Sequence, residues 1–173
     1  MASSLDDLRV LKQAEGIADE VWKLTLTWDD YARRVVGEQV ARAADSVGAN
    51  IAEAFGRYHY GEKLKFLYYA RGSLYETKYW LNRALARQLI DPQAANAYAH
   101  QLEQLARRLN AFVRSIKDQR KQPTTDNTTA EPLPTYSTNN TVLFTDADLA
   151  SLLNIRASGQ SPISNPQSPL HRE

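Results

Sequence analysis

Apolar residues recur along the first 121 positions in alternating steps of four and three, the period of one helix face. The first series is Val10, Ala14, Ile17, Val21, Leu24 and Trp28, and Leu8, Leu11, Ala18 and Trp22 widen it beyond a coiled-coil seam. The second is Val36, Val40, Ala43, Val47, Ile51 and Phe55. Beside it, Ala41, Ala44, Gly48, Ala49 and Ala52 let a neighbouring backbone come close. The third is Leu64, Leu67, Ala70, Leu74, Leu81 and Leu85, and the fourth is Tyr98, Leu102, Leu105, Leu109, Phe112 and Ile116. Long helices joined by short connections pack as antiparallel neighbours, so residues 1–121 are expected to form an all-α, up-down-up-down four-helix bundle.

The punctuation fits four helices. Ser3 or Ser4 is the expected N-cap of the first, with Asp6 and Asp7 set against the helix dipole. Asp29 or Asp30 caps the second, and Gly56 to Gly61 turns the chain into the third. Asp91 caps the fourth, with Pro92 at the first helical position, where its missing N–H is not needed. Gly37 and Gly48 each weaken the second helix by up to ~1 kcal/mol relative to alanine and open the way to a kink.

The composition changes near Gln122. Six of the seven prolines lie beyond it, among threonines, serines and asparagines. Such a segment buries too little apolar surface to offset its ordering entropy, and residues 122–173 are expected to be a largely disordered tail. One stretch within it, 145–156, carries helical signals: Thr145 or Asp146 can cap, and Leu149, Leu152 and Leu153 share a face. A short helix there is expected to dock on a partner or on the bundle.

Several chemistries are excluded by residue type. The chain has no cysteine, so disulfides, thiolate metal sites and cysteine nucleophiles drop out. Neither a secretory signal nor a membrane-length apolar run is visible, and a cytoplasmic protein is expected. A di-metal carboxylate bundle needs Glu-x-x-His pairs, and none of His59, His100 and His171 follows a glutamate by three. There is no phosphate-binding glycine loop. No catalytic residue, metal or cofactor is expected.

Three groups of residues remain. Asn50, Glu53, Arg71 and Glu76 are expected to form a structural polar network between the second and third helices, since a buried carboxylate needs such partners. Tyr68, Tyr75 and Tyr79 line one stripe of the third helix and suit an oligomer interface, the core, or stacking on unpaired bases. The third group is basic. Residues 1–32 carry net −4, residues 33–121 net +8 and residues 122–173 net −3. Within the basic middle, Arg107, Arg114 and Lys121 are seven apart on the fourth helix, Arg108 and Lys117 flank them, and Arg83 and Arg87 are four apart on the third. That spacing fits a phosphate-facing stripe and equally an ordinary charged outer face.

Gln39-Val-Ala-Arg-Ala-Ala-Asp-Ser-Val47, Asn50-Ile-Ala-Glu-Ala-Phe-Gly-Arg57 and Phe66-Leu-Tyr-Tyr-Ala-Arg-Gly-Ser-Leu-Tyr-Glu76 together resemble a bacterial four-helix-bundle family. It includes proteins encoded in intervening sequences of large-subunit ribosomal RNA genes, with the accessory variability proteins of diversity-generating retroelements as distant relatives. The resemblance spans about residues 5–120. It implies a four-helix protomer, a homopentameric ring and a nucleic-acid or ribonucleoprotein setting, with a reverse transcriptase as one possible protein partner. The function expected is a non-enzymatic, oligomeric, nucleic-acid-binding accessory protein. The alternative is a protein–protein assembly module with no nucleic-acid role.

Overall fold

The computed structural model describes residues 8–121 and 142–154, the side chains of 119–121 excepted. Five helices and no strand are found among the described residues. Helix α1 is Arg9–Thr25. Helix α2 opens as Asp30–Ala32, passes through a π segment at Arg33–Gly37, and continues as Glu38–Gly56. Helix α3 is Tyr60–Ala86, α4 is Pro92–Lys121, and α5 is Asp146–Leu152.

The helices form where sequence and local chemistry agree. Asp29 accepts the Ala32 amide at 2.8 Å, and Asp91 accepts the Ala94 amide at 2.7 Å, so both aspartates cap. The π segment ends on Gly37, one of the two glycines that weaken α2. A Cβ there would lie 3.3 Å from Thr25 Cβ, so the small residue admits α1 at this crossing. Helix α3 ends in a Schellman turn: Leu89 N–H reaches Ala84 O at 2.9 Å and Gln88 N–H reaches Leu85 O at 3.0 Å. Gln88 takes the left-handed position, at φ 59°.

Two expectations for α1 need correction. The helix begins at Arg9, with Leu8 in the cap position and no side-chain cap bond; Ser3 and Ser4 lie outside the described residues. Trp22 is 57% exposed and does not join the buried face. Val21 and Thr25 take the inward positions, and Trp22 is turned about 100° away from Val21 by the helical period.

The core is one cluster. Val21, Val40, Ile51, Leu67, Leu74, Leu81 and Leu109 are its fully buried centre. Helix α1 packs on α2 and α4, and α3 packs on the same two helices, which closes a helical bundle. Glu20 meets Gln101 and Arg9 meets Arg108, so residue numbers rise along α1 as they fall along α4. The α1–α2 pair reverses likewise: the Gly48 position faces Leu11, and Gly37 faces Thr25.

Residues 122–141 and 155–173, for which composition predicts disorder, lie outside the described residues. The stretch between them does not. Thr145 and Asp148 form a reciprocal capping box for α5. Leu143, Phe144, Leu149 and Leu152 are buried in the common core.

Candidate functional site

The basic residues of α4 do not form one uniform stripe. Arg107 and Arg114 are exposed. Seven residues of helix put them about 10 Å apart on one side. Arg107 is already engaged, its Nε donating to the Glu103 carboxylate one turn back. Arg108 is exposed but points toward α1, with Nη1 3.5 Å from the Arg9 carbonyl. Lys117 is half-buried and has an interaction partner. The side chain of Lys121 lies outside the described residues. On α3, Arg87 is exposed at the C-terminal cap, and the half-buried Arg83 places its guanidinium 5.9 Å from the Tyr79 ring centroid. That cation–π contact helps to fix its position, and Arg83 has a further interaction partner.

A groove of about 260 Å³ between α1 and α2 has the opposite character. Its floor is Ala14, Ala18, Ala44 and Gly48, and Glu15, Asp19 and Asp45 stand among its lining. Three carboxylates there repel a polyanion.

The expected polar network is not assembled. Glu53 is exposed and pairs with Arg57 on its own helix. Asn50 donates to Ser46 O at 2.8 Å, with Ser73 Oγ at 3.5 Å. Glu76 is exposed. Arg71 turns instead to α5, where its Nη2 lies 3.2 Å from Asp148 Oδ1. The physical reason is the facing of the helices. Ile51 and Ala54 take the buried positions of α2, so Glu53 is carried to solvent, while the edge of α3 that bears Arg71 is covered by α5.

The tyrosine stripe divides. Tyr68 and Tyr79 are 41% and 54% exposed, as a surface contact would require. Tyr75 is covered by the protein's own C-terminal segment. Its hydroxyl donates to Asp148 Oδ1 at 2.7 Å, and its ring lies 5.8 Å from that of Phe144. Arg71 sits over both rings, at 5.0 and 5.5 Å.

Titratable groups in this corner are held away from their ordinary values. The Tyr75 hydroxyl bond first, and the Thr145 backbone bond next, hold the Asp148 carboxyl down at about 2. Burial first, then the bond to Asp148 and its charge, push Tyr75 up to about 12. Burial also lowers Lys78, whose ammonium donates to the Ser151 carbonyl. At the centre, buried Asn110 binds the segment's backbone three times. Its Oδ1 accepts from Leu143 N–H at 2.8 Å and Phe144 N–H at 2.9 Å, and its Nδ2 donates to Phe144 O at 2.8 Å. Sequence reading did not single out Asn110. The available signal was an amide side chain amid Leu105, Leu109 and Val113, where an unsatisfied polar group would be costly.

The family model described as 23S rRNA-intervening sequence protein matches residues 6–111, more than half of the chain. No curated protein matches it. Among the described residues, no helix is long and apolar enough to cross a membrane.

Proposed function

The chain belongs to the 23S rRNA-intervening sequence protein family, and from that membership we propose a non-catalytic, cytoplasmic accessory protein that binds structured nucleic acid, RNA above all. Its working form is a homo-oligomer, a ring of five by the family resemblance, built on an antiparallel up-down-up-down four-helix protomer. The contact directions of α1 with α2 and with α4 support that topology. The observation that carries the nucleic-acid reading is the pair Arg107 and Arg114, both exposed on one side of α4. Two arginines give few phosphate contacts, but a ring repeats them in every copy, and linked weak sites add through effective concentration. The target is a structured RNA, or the RNA–DNA hybrid left by a reverse transcriptase.

A second reading, an assembly module without nucleic acid, is favoured by the exposed Tyr68 and Tyr79 and by the engagement of Arg107 with Glu103. Electrophoretic titration against an RNA hairpin, a DNA duplex and a hybrid, at about 50 and 200 mM salt, separates the two. Binding that weakens steeply with salt and is lost in the double variant Arg107→Glu/Arg114→Glu supports the first. No binding even at low salt leaves the assembly module.

A further inference from the structure

Residues 142–154 sit on the body as a ligand sits in a receptor. Asn110 reads the backbone of Leu143 and Phe144, and the Phe144 ring is buried against Tyr75. Arg71 and Tyr75 read the Asp148 carboxylate, and Lys78 takes the Ser151 carbonyl near the end of the short helix. Backbone bonds supply affinity, while a buried ring and a paired charge supply selectivity, the division of labour seen in peptide recognition.

We propose that the α3–α4 groove is a peptide-recognition site, and that residues 142–154 of a second copy occupy it in exchange with the chain's own segment, linking copies tail to groove. The covalent path between groove and segment favours exchange. Residues 122–141 make a connection of twenty residues. The grip at Asn110 lies eleven residues before the end of α4, a return of about 16 Å along the helix. Twenty residues extended reach about 70 Å. A connection longer than its span lowers the effective concentration of the attached segment and lets a neighbour compete. Charge acts the same way. The segment carries Asp146 and Asp148 and no cation, and residues 33–121 of any copy carry net +8. A nucleic acid could also approach Arg71 and Lys78, but buried apolar seats for Phe144, Leu149 and Leu152 and a backbone grip suit a peptide.

The test reads exchange between copies and not affinity for nucleic acid, so it stands or falls apart from the functional reading above. The protein has no native cysteine. Full-length Lys78→Cys and Ser151→Cys chains are mixed in equal amounts and bridged with a short bismaleimide. The expected product is a 78–151 heterodimer, identified by peptide mass, rising with concentration and suppressed by excess synthetic peptide 142–154. The double variant Lys78→Cys/Ser151→Cys is expected to bridge within one chain when dilute. A double variant that bridges internally, alongside a mixture that never yields the 78–151 heterodimer, overturns the proposal. So does a bridge blocked by an RNA oligonucleotide but not by the peptide. A second measurement guards against disturbance by cysteine. Arg71→Glu and Asp148→Arg chains are each expected to exchange amide hydrogens rapidly over 143–152. Their mixture regains protection through the complementary pairs, and a mixture no better protected than its parts rejects exchange.

Discussion

Tyr75 and Asp148 lie 73 residues apart in the chain and share one hydrogen bond of 2.7 Å, in which the phenol donates and the carboxylate accepts. Each holds the other in a single protonation state: Asp148 stays ionised down to about 2, and Tyr75 stays neutral up to about 12. The Tyr75–Asp148 bond is therefore indifferent to pH over the whole neutral range.

The signs are opposite for the two groups. Asp148 is depressed on docking, so its contribution is complete above the usual carboxylate value and is lost as pH falls through about 2. Tyr75 is raised, so its contribution is complete below the usual phenol value near 10 and is lost as pH rises through about 12. The two contributions share a bond and do not add. Amide chemical shifts of Leu143 and Phe144 should be flat from about pH 5 to pH 9. A transition near neutrality would contradict this.

Asn110→Leu is expected to release the segment without unfolding the body. It leaves the Leu143 and Phe144 amides without their acceptor, at about 1–3 kcal/mol for each buried group left unpaired. Hydrogen exchange should accelerate across 143–154 while α1 and α2 keep their protection. Equal loss in all helices would mean that Asn110 supports the whole core.

Glu53→Ala should change stability by less than about 1 kcal/mol, because the Glu53–Arg57 pair is surface-exposed. Asp148→Ala should cost more, since Arg71 and Tyr75 lose a common partner. Chemical denaturation of both variants ranks them, and the reverse order would show that Glu53 has a buried role.

Glu103→Gln keeps the shape of a side chain only 11% exposed but removes the charge that engages Arg107. If α4 faces phosphate, affinity for an RNA hairpin should rise several-fold at low salt, with a steeper salt dependence by roughly one phosphate contact. Unchanged binding would place the contact surface elsewhere.

Gln88→Gly should stabilise the protein by up to ~1 kcal/mol, because glycine takes the left-handed position of a Schellman turn without a Cβ penalty. A lower melting temperature would show that the Gln88 side chain makes a compensating contact.

The helix faces were legible because their causes are local. The four-three apolar period and the caps at Asp29, Asp91 and Thr145 each act within one or two turns. The partner of Arg71 was not legible. Glu53 and Glu76 are nearer in sequence than Asp148, and the choice depends on how α2 and α3 rotate against each other. Asn110 was hidden for a similar reason: its three bonds are made to a segment 33 and 34 residues further on. Trp22 misled because an apolar residue beside a buried face reads as part of it.

The order in which the ribosome makes these parts sets a clock. Once Lys121 has been added, 33 further residues must follow before Asn154 completes the segment. At the usual rates of synthesis that takes about 2–7 s. Asn110 and the seat for Phe144 leave the ribosome before Leu143 and Phe144 do, so for an interval a nascent chain presents the seat without the residues that fill it. Finished chains released from the same messenger carry the missing piece, so the first pairing of groove and segment can join an older copy to a younger one before the younger is complete.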